Sequence, residues 1–175
     1  MTDAYDDAAL AVLERRIDEW LASIAAGWMP VEAIDRAEGD LRRWYVRLRG
    51  EDKDHTTVWL TLGQRTLRYE TYVMPAPEEN HAVLYEHLLR RNDRLVGAHF
   101  SIGEEDAIFL RGELPNRALS EEELDRIIGT LFATVEQTFQ SLLRIGFASR
   151  FRQTGGQSPD DSSAAASPDG ETEPT

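Results

Sequence analysis

Histidines and carboxylates are the side chains that could carry metal or proton-transfer chemistry in this 175-residue chain. His81 and His87 lie six positions apart on a predicted helix, whereas the two histidines of a zinc-binding helix lie four apart on one face. His81 and Glu78 share a face, so a metal site there is an alternative to a plain surface histidine. His55 and His99 stand apart in sequence. The chain has no cysteine, which excludes disulfides and thiolate metal sites.

Signatures of known enzyme classes are missing from the sequence. Neighbouring carboxylates such as Glu104–Glu105 and Asp160–Asp161 are expected by chance among 32 acidic residues. No apolar segment flanks them that would raise a carboxyl pKa. The chain contains none of the glycine-rich nucleotide-binding motifs and no GxSxG motif. We therefore expect no catalytic residues, no cofactor and no metal; a small-molecule sensor or enzyme with a pocket between sheet and helices remains the alternative.

Aromatic and arginine side chains alternate on one face of the segment 41–73, which is the strongest candidate for a binding surface. The runs LRRWYVRLRG, HTTVWLTL and RTLRYETYV each show the side-chain period of two of a β-strand. One face of these strands is aliphatic, and the other presents seven candidate partner-binding residues: Arg43, Tyr45, Arg47, Arg49, Trp59, Arg68 and Tyr72.

Arginine and aromatic residues are the types enriched in protein interface hot spots. Two other interpretations stay open for this face. It could be an ordinary solvated sheet face held by cross-strand contacts, or its rings could stack on single-stranded RNA.

The charge of the chain is unevenly distributed. The formal net charge is −13, yet residues 41–74 hold seven basic and four acidic side chains. Overall acidity argues against nonspecific nucleic-acid binding, which depends on neutralised phosphates. No apolar run reaches the roughly 20 residues of a membrane span, and the acidic first residues lack the basic region of a secretion signal. We therefore expect a soluble, cytoplasmic protein that does not bind membranes or nucleic acid.

The first forty residues predict one amphipathic helix and a connection. The helix spans 6–26, with Asp6 or Asp7 as its N-terminal cap and Gly27 at its end. The segment 28–40 is predicted as a connection, with one helical turn at Val31–Arg36 as an option. The core-facing positions of the helix recur at helical spacing: Leu10, Leu13, Ile17, Leu21 and Ile24.

Two more helices and a hairpin follow the three strands. A helix over 78–92 is predicted to bury Ala82, Tyr85, Leu88 and Leu89. A hairpin over 98–111 comes next. The last helix, about seven turns long, begins with Ser120 and Glu123 as a capping box. Within the three strands, residues 51–54 form a polar loop, and Gly63 with Gln64 forms a tight turn in which glycine would take a positive φ.

The element order α-β-β-β-α-β-β-α indicates an α+β fold, with an antiparallel sheet and helices mainly on one face. We assign one domain to residues 1–152. Residues 153–175 are an acidic segment of Gly, Ser, Pro and Ala that lacks large apolar side chains, so we expect it to be disordered.

Several strings of this sequence resemble the YbjN family, in its actinobacterial branch. They are RRWYVRLRGEDKDHTTVWLTLGQRTLRYETYVMPAPEENHAVLYEHLLRRN, FLRGELP and EEELDRIIGTLF, and the resemblance covers about residues 10–148. It implies a type III secretion chaperone-like fold and a non-enzymatic, homodimeric protein that binds a protein partner, as in a sensory transduction regulator. It supplies no catalytic residues. A secretion-chaperone-like binder of extended protein segments is the alternative, since a shared fold does not establish a shared activity.

Overall fold

A computed structural model describes residues 4–27 and 30–154, which form a six-stranded antiparallel sheet with its long helices on one face. The strands lie in the order β1-β2-β3-β4-β6-β5. Single 3₁₀ turns occupy Glu104–Asp106 and Asn116–Ala118. The helices and strands are α1 Asp7–Ala25, β1 Val31–Arg36, β2 Arg43–Arg49, β3 His55–Leu62, β4 Thr66–Met74, α2 His81–Asn92, β5 His99–Ile102, β6 Ile108–Pro115, α3 Glu121–Gly146 and α4 Ala148–Thr154. The predicted α+β class with an antiparallel sheet is confirmed.

The core lies between the aliphatic face of the sheet and helices α1, α2 and α3. In β2 the burial alternates with period two, so Trp44, Val46 and Leu48 are fully buried. The five apolar positions predicted for α1 are all buried. Trp44 also donates its indole N–H to Asp18 of α1, with Nε1 and Oδ1 2.7 Å apart. This bond satisfies the polar atom of the buried ring, as burial of tryptophan requires.

The helix starts follow the sequence signals. Asp6 caps α1 by accepting a hydrogen bond from the Ala9 N–H at 2.8 Å. Ser120 caps α3 by accepting one from the Glu123 N–H at 3.2 Å. The return bond of the capping box is not formed, because the Glu123 carboxylate pairs with Arg126 at 2.7 Å.

The segment Val31–Arg36 corrects the prediction of a connection with an optional helical turn. It is an edge strand that pairs antiparallel with β2, with Ile34 opposite Val46 and Asp35 opposite Tyr45. A register shift between Val31 and Ala33 interrupts the ladder. The bulge breaks the period of two, and this is why the segment does not have the sequence pattern of a strand.

Two smaller predictions were also wrong. Helix α2 begins at His81 rather than 78. Of its four predicted core positions, Leu88 is buried and Tyr85 is half-buried, but Ala82 and Leu89 are exposed, and Leu84 is buried instead. Gly63 does form the β3–β4 turn, with its N–H bonded to the Thr66 carbonyl at 2.9 Å. Its φ lies outside the left-handed region, however, so this turn does not use the freedom of glycine.

The C-terminal region adds a short helix that the sequence did not indicate. Helix α4 ends at Thr154, and residues 155–175 of the predicted disordered segment lie outside the described residues. The domain boundary at 152 and 153 remains a prediction. Among the described helices, none combines the length and apolar character that a membrane span needs.

Candidate functional site

The seven candidate residues lie on the sheet face opposite the helices, which we call the outer face. Tyr45 of β2 stands directly opposite Trp59 of β3. Their ring centroids are 6.0 Å apart with the planes at 86°, an edge-to-face arrangement. Aromatic pairs prefer this geometry because the positive ring edge meets the negative ring face.

The aromatic contact continues across β4 to β6. Phe109 of β6 makes edge contacts with both Trp59, at 6.4 Å, and Tyr72, at 5.6 Å between centroids. Tyr72 stands opposite Phe109 in the β4–β6 register. Four rings therefore form one connected row across four strands, which we call the aromatic row: Tyr45, Trp59, Phe109 and Tyr72.

Phe109 was not among the predicted site residues. The sequence shows β6 as apolar on both sides, but it does not show that β6 lies beside β4 rather than at the sheet edge. Gly103 allows the ring to lie where it does, because a Cβ at this position would come within 2.4 Å of the Phe109 ring. This close approach explains a glycine at the start of the β5–β6 turn.

Arginines lie against the aromatic row at two points. The Arg43 guanidinium lies 5.7 Å from the Trp59 ring centroid and donates Nε–H to Thr61 Oγ1 at 2.8 Å. The Arg111 guanidinium lies 4.4 Å from the Phe109 ring centroid. In a cation–π contact of this kind the negative ring face attracts the guanidinium.

The remaining arginines of the outer face lie near carboxylates. Arg47 Nη2 is 3.9 Å from an oxygen of Asp35, and Arg49 Nη1 is 3.4 Å from an oxygen of Glu32. Both carboxylates come from β1, the strand that the sequence did not predict. His55 also pairs with Glu32, at 3.1 Å.

Strand β6 brings further charge to this face. Arg111 Nε lies 2.9 Å from Glu70 Oε2, and Arg68 stands opposite Glu113 in the β4–β6 register. Carboxylates of β1 thus lie near Arg47 and Arg49, Glu113 of β6 stands opposite Arg68, and Glu70 of β4 itself pairs with Arg111 of β6. The outer face presents paired charges around a central row of rings rather than a basic patch.

The only lysine in the sequence, Lys53, lies at one end of the aromatic row. Its ammonium nitrogen is 5.1 Å from the Tyr72 ring centroid and 5.6 Å from that of Phe139 in α3, and it donates to the Tyr72 carbonyl. Burial lowers the pKa of Lys53 to about 8, and the nearby Glu136 carboxylate opposes this shift. Burial also raises the pKa of Tyr72, with a smaller contribution from Glu105.

Two side chains of α3 hold the loop that carries Lys53: the Glu136 carboxylate, and Gln140, whose amide donates to the Asp52 carbonyl at 3.0 Å. Glu136 accepts hydrogen bonds from the backbone N–H groups of Glu51, Asp52 and Lys53 at 2.7, 3.0 and 3.2 Å. We call this arrangement the Glu136 clamp. Gly50 is necessary for it, because a Cβ there would come within 2.3 Å of both Glu136 Oε1 and the Lys53 carbonyl oxygen.

Only some of the seven predicted site residues are thus in contact with one another. Arg43, Tyr45 and Trp59 form one contact group, and Tyr72 joins it through Phe109. The other three, Arg47, Arg49 and Arg68, lie around this group on the same face. Within residues 4–27 and 30–154, no group of three histidine, aspartate or glutamate side chains is placed to hold a metal ion.

Structures of similar fold provide one comparison. A chain in the crystal structure of the ExsC–ExsE complex matches with a TM-score of 0.54 and 18% sequence identity, covering 74% of this chain and 96% of that one. A chain in the structure of the Yersinia pestis type III secretion chaperone SycH with a fragment of YscM2 matches with a TM-score of 0.47 and 17% identity, covering 70% and 96%. The first likeness shows the fold alone.

Sequence relatives provide the second comparison. The uncharacterized protein Mb0497 of Mycobacterium bovis is 34% identical over 108 residues, which are 62% of this chain and 59% of the relative. The uncharacterized protein ML2442 of Mycobacterium leprae is 33% identical over 113 residues, which are 65% and 61%. The chain thus matches about three fifths of the length of these curated relatives.

The family comparison covers most of the chain. Residues 15–144 match the YbjN family model, described as "Putative bacterial sensory transduction regulator". This range includes α1 from residue 15 onward, all six strands, α2 and all but the last two residues of α3. The chain belongs to the YbjN family.

Proposed function

We propose that this chain is a non-enzymatic, regulatory protein-binding domain that contacts its partner through the outer face. The observation that carries the proposal is the aromatic row, four rings in edge-to-face contact on the sheet face without helices. Rings held in this way lose little conformational entropy on binding, which is why aromatic residues dominate interface energetics.

The charges around the row indicate the chemistry of the partner. Each arginine of the outer face except Arg43 lies near or opposite a carboxylate. A strongly charged partner of either sign would therefore gain little electrostatic attraction from this face. A partner surface with apolar side chains at its centre and polar groups at its rim fits this arrangement. The chain of similar fold in the ExsC–ExsE complex supports protein binding as the type of function.

Affinity purification with mass spectrometry tests this proposal. The chain is used as bait beside two variants of the outer face, Trp59→Ala and Arg47→Glu. Arg47 is exposed and its replacement leaves the core intact, so that variant is expected to fold as the wild type does. A matched control is Arg15→Glu, which places the same charge change on an exposed position of α1.

We expect both outer-face variants to lose a partner that the wild type and Arg15→Glu retain. Thermal unfolding of each variant separates loss of binding from loss of the fold. Equal recovery of every partner by wild type, Trp59→Ala and Arg47→Glu would show that the outer face is not the binding surface.

We also propose that the chain forms a homodimer through α2 and β5. Large apolar side chains are exposed there, with Val83 at 58%, Leu89 at 68% and Ile102 at 49%. A cavity of about 410 Å³ with almost entirely apolar walls lies between Leu89 and Ile102. A two-fold axis beside α2 would place this surface against its own copy, as an isologous interface requires.

Charges on α2 favour a second copy as the occupant of this surface. Glu86 and Arg90 stand on either side of Leu89 and pair with each other at 2.7 Å. In an antiparallel pair of α2 helices whose two-fold axis passes near Leu88, Glu86 of each copy would face Arg90 of the other. Light scattering after size-exclusion chromatography tests this: we expect Leu89→Glu to be monomeric and Val12→Glu, a change at an exposed apolar position of α1, to remain dimeric. A wild type that is monomeric at micromolar concentration contradicts the proposal.

A further inference from the structure

A second cavity, of about 430 Å³, lies on the helix side of the protein between α2 and α3. One wall is basic and comes from α2 and the turn that follows it. It consists of His87, Arg90, Arg91 and Arg94. We call this space the arginine cavity. It is separate from the outer face, because the helices lie on the opposite side of the sheet.

The positive charge in the arginine cavity is largely uncompensated. Arg90 pairs with Glu86 at 2.7 Å. Neither Arg91 nor Arg94 lies within ion-pair distance of any carboxylate in the described part of the chain, including the neighbouring Asp93. In a chain of net charge −13 this is an unusual place for two guanidinium groups without a counter-ion.

Arg91 is held in position by a histidine. Its Nε–H donates to His87 Nε2 at 3.1 Å, so this imidazole nitrogen is an acceptor and the ring is neutral. Partial burial and the adjacent Arg91 charge lower the pKa of His87, which favours the neutral ring. The outer nitrogens of Arg91 remain available to bind an anion, because the bond to His87 uses only Nε.

The helix dipole explains part of this composition but not the whole of it. Basic side chains in the last turn of α2 interact favourably with its C-terminal carbonyl groups. That effect accounts for Arg90 and Arg91. It does not account for Arg94, which follows the end of the helix, or for the concave shape.

The other walls of the cavity carry no charge. Thr134 and Gln137 of α3 offer a hydroxyl and an amide, both of which can donate hydrogen bonds. Leu95 and Phe100 supply an apolar wall. The cavity therefore combines two unpaired guanidinium groups, neutral donors and an aromatic ring within the volume of a small-molecule site.

We propose that the arginine cavity binds a small-molecule phosphate monoester, with the phosphate on Arg91 and Arg94 and the organic group against Leu95 and Phe100. Arginine is suited to this role because its planar fork of donors matches two phosphate oxygens. A carboxylate has less negative charge and fewer acceptor oxygens than a phosphate, so two neighbouring guanidinium groups favour phosphate over carboxylate. The inference goes beyond protein binding and does not depend on the outer face.

Isothermal titration calorimetry at low salt tests the proposal with three probes: phenyl phosphate, inorganic phosphate and benzoate. We expect phenyl phosphate to bind most tightly, because it alone offers both a phosphate and an aromatic ring. We expect Arg94→Gln to weaken its binding on the order of tenfold or more, the loss typical of one charged hydrogen-bond partner. Arg94 is exposed, so this variant is expected to fold normally.

The control variant is Arg15→Gln, which removes one positive charge from an exposed position of α1. It is expected to bind phenyl phosphate as the wild type does. Equal weakening in Arg15→Gln and Arg94→Gln would show only a general charge effect and would overturn the proposal. Benzoate binding as tight as that of phenyl phosphate would exclude phosphate selectivity, and no binding of phenyl phosphate at millimolar concentration would exclude the site.

Discussion

The Glu136 clamp gives the sharpest quantitative prediction of this structure. The Glu136 carboxylate is the common acceptor of three consecutive backbone N–H groups, those of Glu51, Asp52 and Lys53, at 2.7 to 3.2 Å. Hydrogen bonds to charged groups contribute roughly 1.5 to 3 kcal/mol each when they are buried. These N–H groups lie in an exposed or half-buried loop, so water can bond to them when Glu136 is removed. We therefore take about 1 kcal/mol as the contribution of each hydrogen bond to the free energy of unfolding.

Glu136→Gln removes the charge and turns one acceptor oxygen into an amide that cannot accept. We expect the free energy of unfolding to fall by about 2 kcal/mol, which corresponds to a decrease in Tm of about 4 to 8 °C for a chain of this size. Urea unfolding followed by tryptophan fluorescence, together with a thermal scan, measures both quantities. Glu19→Gln makes the same change at an exposed position of α1 that forms no ion pair within the described residues.

Gly50→Ala tests the Glu136 clamp by changing the loop instead of the carboxylate. Its Cβ would come within 2.3 Å of the Lys53 carbonyl oxygen, a backbone atom, so the loop has to move away from Glu136. We expect a loss at least as large as that of Glu136→Gln, and a double variant that is less destabilised than the sum of the two single variants. A Glu136→Gln protein within 0.5 kcal/mol of the wild type, a difference on the order of an ordinary surface substitution, would refute this account of the loop.

Three further substitutions have defined outcomes. Between pH 8 and about 10.5 the unfolded wild-type chain keeps the Lys53 proton while the folded chain loses it, so stability rises with pH over this range. Lys53→Met should remove this rise, which is measured as the urea midpoint of unfolding at a series of pH values. Asp106→Gly should stabilise by about 0.5 to 1 kcal/mol in thermal unfolding, because Glu105 and Asp106 both have positive φ in a tight hairpin turn. Asn92→Ala should cost about 1 to 3 kcal/mol in urea unfolding, because its amide bonds both the N–H and the carbonyl of Phe100.

Regular periodicity in the sequence predicted most of the fold. The five apolar positions of α1 and the alternating residues of β2, β3 and β4 lie in the core as expected. Strand β1 was missed because its bulge between Val31 and Ala33 disrupts the alternation. The buried face of α2 was partly misplaced because α2 packs on α3 and on the edge strand β5. In this position Leu84 and Leu88 face the core, whereas Ala82 and Leu89 do not.

The candidate site was less accessible to sequence reasoning, because it depends on which strands are neighbours. Tyr45 and Trp59 come from consecutive strands, so their contact follows from a simple hairpin register. Phe109 joins the aromatic row only because β6 lies between β4 and β5. The carboxylates near Arg47 and Arg49 likewise come from β1, and the one opposite Arg68 comes from β6, both outside the basic segment 41–74. Whether the outer face binds a partner stays a prediction.

The bond pattern of Asn92 has a consequence for self-association through the sheet. The Asn92 amide occupies the N–H and carbonyl of Phe100, the middle of the short edge strand β5, so that edge has no free groups there for another strand. At the opposite end of the sheet, β1 has a strand on one side only. Two copies that paired edge to edge through β1 would have β5 at both ends of the joined sheet. Further strand addition there would have to displace the Asn92 amide from Phe100, so this bond hinders growth into a fibril.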